Sequence, residues 1–413
     1  MVAATARPGM PFGIRDFVFH LFFLSAIAPL HNVGLSVEHL PYGILCLAFS
    51  RTVRIDVLAF TLLLIIGFIA TMLWYGNFNT RVIAYMAATL NIASFLWFVP
   101  GNEDRLIRAA RNVFWLSLAV GVMQIAGLLV PLEGLMRIFI ERFHGDEVGA
   151  GITANYRGVT MLETEPSRAS IKIILLYIIA FHLDRKPLSA VLGVALFAQL
   201  FLIKSTTGII LSIIAVGAFA LRYSRIQIVT AALLFFGGPV VVSVLQSNPK
   251  VALIWSLYDA RGLEGLYTGL VATSGGRALA IVNTIQSILV NPLGYGADPD
   301  FFSAEGPEQL QRLVAGYQTR ANSRPTAMFL NFLYAYGWIP FFILLGLTHR
   351  MSRRDGVSPM SSPIFWVLMF CGFFYSAPAS PLLLVAWVLY VHRNGADMKV
   401  RQTPMATAQV STP

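Results

Sequence analysis

Nine arginines stand in two segments: Arg137, Arg142, Arg157, Arg168, Arg261, Arg277, Arg312, Arg320 and Arg324, within residues 132–168 and 246–325. A planar guanidinium offers a fork of donors that suits carboxylates, phosphates and pyrophosphates. Two carboxylates, Glu163 and Glu165, stand close to Arg157 and Arg168 and are placed to accept or hold a proton. Glu165-Pro166-Ser167 has the composition of a helix start, where proline costs no hydrogen bond and the first free amides can meet an anion. The same residues also suit a plain capped helix, with Glu165 facing the helix dipole and pairing with Arg157 or Arg168.

A second constellation is Gly275-Gly276-Arg277, followed by an apolar stretch and then Asn291-Pro292-Leu293-Gly294-Tyr295-Gly296. Between them, Leu279, Ile281, Val282, Ile285, Ile288 and Leu289 recur at helical spacing. Asn283, Thr284, Gln286 and Ser287 form the polar face. That spacing predicts an amphipathic helix over 277–290 lying at the membrane surface or over the bundle. Arg277 sits at its N-terminal end, where the macrodipole disfavours a cation, so an anionic ligand is one reason to keep it there. An ordinary surface arginine is the other reading. Lys204-Ser205-Thr206-Thr207-Gly208 could line a headgroup site or serve as a snorkelling lysine beside a cap. Arg320 and Arg324, ahead of an apolar segment, suit either ligand binding or interfacial anchoring. Lys172, one turn inside an apolar segment, must snorkel or pair. We expect it beside Arg168, facing an outer aqueous cavity.

The elements that must position these residues are built for lipid. Of 413 residues, 56% are hydrophobic and 12% charged, about half the charge of a soluble domain. Twelve apolar segments lie near 16–34, 37–50, 55–75, 81–100, 112–131, 167–183, 188–204, 206–222, 226–245, 326–347, 362–378 and 380–392. Most have the length needed to cross a bilayer as helices. The fold class expected is all-α, a polytopic transmembrane helix bundle of about 12 spans. Alternating short strands of the kind a β-barrel needs are missing from the sequence.

Short loops orient the bundle. With the N-terminus in the cytoplasm, the inside loops hold seventeen basic residues, among them Arg51, Arg54, Arg105, Arg108, Arg111, Arg350, Arg353 and Arg354. The short outside turns at 31–36, 76–80 and 376–380 hold none. Both termini are therefore expected in the cytoplasm, and 132–168 and 246–325 become two long periplasmic loops. The larger is too long to lack structure of its own. Met1 to Asp16 reads as a cytoplasmic lead into the first span, without the pattern of a cleaved signal. Residues 396–413 are polar and rich in small residues, which predicts a disordered cytoplasmic tail.

Several classes are set aside on composition. The net charge of +10 comes from 25 Arg and 5 Lys scattered between apolar blocks, not gathered in a nucleic-acid stripe. Cys46 and Cys371 both lie in apolar segments and offer neither a disulfide framework nor a CxxC site. No HExxH or Walker loop occurs, and the seven histidines are scattered, so neither a metal nor a cofactor is expected.

In order and spacing, Arg157-Gly158…Glu165-Pro166-Ser167, the Ser205-Thr206-Thr207-Gly208 turn and Gly276-Arg277…Asn291-Pro292-Leu293-Gly294-Tyr295-Gly296 resemble the O-antigen polymerase (Wzy-type) and O-antigen ligase superfamily of bacterial membrane glycosyltransferases. The resemblance covers most of the chain. It implies a multi-pass protein of the bacterial inner membrane with its active site facing the periplasm. It also implies transfer of glycan from an undecaprenyl-diphosphate-linked oligosaccharide, without a nucleotide sugar. The implied partners are membrane lipid and chain-length regulator or polysaccharide export proteins, with no nucleic acid. The catalytic residues expected are Arg157, Arg277 and Glu165, with Glu163 as the second candidate base. Substrate contacts are expected from Arg168, Lys172, Lys204, Arg320, Arg324 and Tyr295. Ligases of this kind resemble one another in a His-Asn pair about eleven residues before a glycine. Counting back from Gly337, Thr326-Ala327 stand there instead. Together with Glu-Pro-Ser, this favours a polymerase over a ligase. A transporter or flippase of the lipid-linked unit is the alternative of another class, although related halves and broken central helices are not evident.

Overall fold

The computed structural model describes residues 13–27, 55–75, 94, 97–128, 159, 161, 163, 166–182, 189–203, 205–220, 249–273, 284–285, 288–289, 291–295, 328–343, 346, 363–374 and 382–390. Among these residues the protein is all-helical. The helices are α1 (Ile14–Ile27), α2 (Ile55–Tyr75), α3 (Glu103–Ile125), α4 (Pro166–Tyr177), α5 (Ser189–Phe197), α6 (Thr206–Ala220), α7 (Pro249–Thr273), α8 (Met328–Tyr336) and α9 (Pro363–Phe374). Residues 338–343 and 382–390 are also helical. All but α7 overlap apolar segments of the sequence. The expected spans at 37–50 and 226–245 and the tail at 396–413 lie outside the described residues.

α3 is the one clear membrane-crossing candidate among the described residues by length and composition. Its 23 residues extend about 35 Å at 1.5 Å each. It starts lower than the apolar pattern suggests, because Glu103 and Asp104 suit the positive end of the helix dipole. Arg105, Arg108 and Arg111 therefore ride on its first turns instead of occupying a loop. Arg105 forms an ion pair with the buried Asp16 of α1. Arg111 donates to Ala180 O at 3.2 Å and lies over the Phe181 ring. At the other end, Leu128 N–H donates to Met123 O at 3.0 Å and Gly127 N–H to Gln124 O at 3.2 Å. Gly127 has φ +69°, so a glycine in the left-handed region closes the helix.

α1 packs along α3, which also meets α4 and the π-helical turn that follows it at Ile178–His182. α4 packs on α6, α6 on α9, and α9 on α8. Phe19, Phe23, Phe98, Phe114 and Tyr390 are fully buried in this shared core. In contrast, α2 turns Leu58, Leu62, Leu63, Ile66, Ile69 and Leu73 outward.

The stretch 246–325, expected as the larger loop, is helical over Pro249–Thr273. α7 runs through it, bent at Gly262, whose φ of +61° and ψ of −136° leave the helical region. Beyond the bend the chain doubles back: a Cβ at Gly269 would stand 2.9 Å from Ile254 Cα. The helix expected at 277–290 is helical where it is described. Its packing differs from the pattern: Thr284 and Ile288 are buried, whereas Ile285 and Leu289 face outward.

Candidate functional site

The segment ahead of α4 carries the first motif, and three different elements hold it. Val159 N–H donates to Leu202 O at 2.9 Å. Leu202 belongs to the π-helical turn Ala198–Ile203 that ends α5. The last carbonyls of a helix lack intrahelical donors, and this one is satisfied from outside. Two residues on, Met161 N–H donates to Gln124 Oε1 at 2.8 Å, and Gln124 Nε2 donates to Met161 O at 2.7 Å. Met161 has φ +57°, and its side chain is buried against Gly121. Two residues further, the carboxylate of Glu163 forms an ion pair with Lys172 of α4, and both side chains are almost fully buried.

Lys172 thus pairs within the protein instead of facing an aqueous cavity. Its ammonium and the Glu163 carboxylate satisfy each other where neither meets water. Such a pair offsets its own desolvation only while both members are present. α4 begins at Pro166, as the Glu-Pro-Ser pattern suggests.

A polar stitch ties α4 to its neighbours one turn further in. Ser170 Oγ donates to Pro166 O at 3.0 Å and lies 2.5 Å from Ser205 Oγ. Gln199 Nε2 donates to Ser170 O at 2.6 Å. Ser205 Oγ accepts from Gly208 N–H at 2.9 Å, a side-chain cap on α6. A Cβ at Gly208 would lie 2.5 Å from Ser170 Oγ and 2.6 Å from Gln199 Oε1. The Ser-Thr-Thr-Gly turn therefore has a packing explanation: its serine caps the helix, and its glycine lets polar side chains of two other helices approach the backbone.

The second motif docks on α8. Gly294 N–H donates to Asn291 O at 3.1 Å, and Asn291 Nδ2 donates to Gly294 O at 2.9 Å. Asn, Pro and Gly stand at the turn positions that favour them. The turn then pairs with α8 and the residues after it. Tyr295 N–H donates to Tyr334 O at 2.8 Å and Trp338 N–H to Pro292 O at 2.9 Å. The Tyr295 and Tyr334 rings stack at 5.2 Å between centroids, both buried. Tyr295, expected to contact substrate, is here packed against a protein ring.

Of the expected site residues, Arg168, Lys172 and Tyr295 lie among the described residues. The first two share α4; Tyr295 belongs to the α8 junction. Arg157, Glu165, Lys204, Arg277, Arg320 and Arg324 lie outside them. Gln124 and Gln199 went unnoticed in the sequence, although a lone amide inside an apolar segment is itself a signal. The chain matches no family model, and comparisons with curated proteins and with solved structures find no match either.

Proposed function

We propose that the protein is a multi-pass enzyme of the bacterial inner membrane that polymerises polysaccharide at the periplasmic face. It transfers glycan from an undecaprenyl-diphosphate-linked donor to a lipid-linked acceptor. The observation that carries this reading is the ordered set of motifs running from Arg157-Gly158 and Glu165-Pro166-Ser167 to Asn291-Pro292-Leu293-Gly294-Tyr295-Gly296. The outward leucines of α2 and the membrane-crossing length of α3 agree with a membrane setting.

In the proposed reaction an acceptor hydroxyl oxygen attacks the anomeric carbon of the donor. The bond from that carbon to the diphosphate oxygen breaks, and its electron pair stays on the diphosphate. Arg157 and Arg277 stabilise the charge that builds there, with Arg320 or Arg324 assisting. The acceptor's proton passes to a carboxylate. Glu163 is already engaged by Lys172, which leaves Glu165 as the first candidate base.

The test is to supply purified protein in detergent with a defined lipid-diphosphate oligosaccharide and follow glycan length. Lengthening by the native protein, lost in Arg157→Ala and Arg277→Ala variants that still insert and melt normally, is the expected result. Full-length polymer from both variants sinks the assignment of the arginines. Transfer only to a lipid A core identifies a ligase. Movement of lipid across vesicles without a new glycosidic bond identifies a transporter.

A further inference from the structure

We infer that Gln124 is a positioning residue that sets the segment carrying Arg157 and Glu165. Three contacts hold this segment, and they fall on alternate residues: Val159, Met161 and Glu163. Met161 is the middle one. Arg157 lies four residues before it and Glu165 four residues after it. In sequence, Arg157 stands two residues before Val159 and Glu165 two residues after Glu163.

Four features set the central contact apart. One side-chain amide satisfies both the N–H and the C=O of Met161, as a neighbouring strand would. Met161 holds a left-handed backbone conformation without being glycine, one that L side chains rarely adopt. A residue stays in such a conformation only where its surroundings over-determine it. The backbone of Gln124 is itself held, because its main-chain carbonyl accepts from Gly127 N–H in the turn that closes α3. Gly121, one turn earlier on the same helix, makes room for the Met161 side chain: a Cβ there would lie 3.1 Å from Met161 Cε. Gly121 and Gln124 together form a socket for one backbone unit of the loop.

The effect on turnover rests on the polymerase reading; the mechanical part does not. Two readouts separate them. Hydrogen exchange over residues 155–165 reports the socket directly, in the full-length protein in detergent. In Gln124→Leu, that peptide is expected to exchange about tenfold faster or more, with the rest of α3 and the melting temperature little changed. Exchange at the native rate overturns the inference.

Glycan lengthening reports the consequence. The Leu variant should lose about 10- to 100-fold in kcat, as small displacements of catalytic groups do, with KM for the lipid-linked substrate nearly unchanged. Undiminished kcat alongside fast exchange overturns the positioning role. A second variant, Gln124→Glu, keeps the inference testable should the Leu protein fail to insert. A protonated glutamic acid both accepts from Met161 N–H and donates to Met161 O; a carboxylate only accepts. Its exchange over 155–165 should therefore slow as pH falls, relative to the native protein. A ratio that does not vary with pH overturns the inference. A native protein that never lengthens glycan overturns the polymerase reading, and exchange still decides whether Gln124 holds the segment.

Discussion

Gly294 of the large loop and Gly337 at the end of α8 meet backbone to backbone. A Cβ on Gly294 would stand 2.6 Å from Gly337 N, and a Cβ on Gly337 would stand 2.1 Å from Pro292 O. Both have positive φ, +84° and +76°. Steric room and backbone conformation thus both demand glycine at each position. Gly337→Ala should therefore cost about 2–4 kcal/mol and detach the Asn291–Tyr295 turn. Thermal melting in detergent measures the first, and faster exchange at Tyr295 the second. A melting point within a degree of the native value would show that the two glycines do not make the junction.

The pairing of Lys172 with Glu163 predicts strong non-additivity. Lys172→Met alone strands a buried carboxylate and should cost about 3–5 kcal/mol. Lys172→Met combined with Glu163→Leu removes both charges and should recover most of that loss. Chemical denaturation of the four proteins of this cycle gives the coupling. Additive losses would mean that the two side chains act separately.

Gly208 is crowded by polar atoms instead of a hydrocarbon wall. Gly208→Ala should cost about 1–3 kcal/mol through overpacking. Gln199→Ala in the same protein should return part of it, since Gln199 Oε1 is one of the two nearest atoms. Melting temperatures of the single and double variants check this. A Gly208→Ala protein as stable as the native one would place the helices further apart than described.

Gly262 turns α7 back on itself. Its φ and ψ lie where an alanine is strained, so Gly262→Ala should straighten the helix and separate Gly269 from Ile254. Paired spin labels at the adjacent, more accessible Leu253 and Thr268 would then move apart by several ångströms, on the order of the 8–10 Å spacing between packed helices. Unchanged label distances would rule out a bend set by this glycine.

The helices were legible because apolar blocks and caps are local signals. The third apolar segment, 55–75, became α2 residue for residue, and Pro166 opened α4 where the motif placed it. α7 was missed because Asp259, Arg261, Gly262, Glu264 and Gly265 interrupt its hydrophobicity. Helix propensity survives charges that hydropathy penalises. Thr284 and Ile288 show a different limit. Periodicity identifies a helix and its faces, but not which face meets a neighbour.

By itself the sequence determined the helical class, the places where most helices start and the residue types available for chemistry. These follow from hydrogen bonds and burial within a few turns of chain. Only the tertiary structure decided the partners. Lys172 meets Glu163 and not open water; Gln124 meets the backbone of Met161, 37 residues away; Gly294 meets Gly337. Such pairs join segments distant along the chain, and what selects them is the mutual satisfaction of buried polar and backbone groups. No spacing within one segment encodes that.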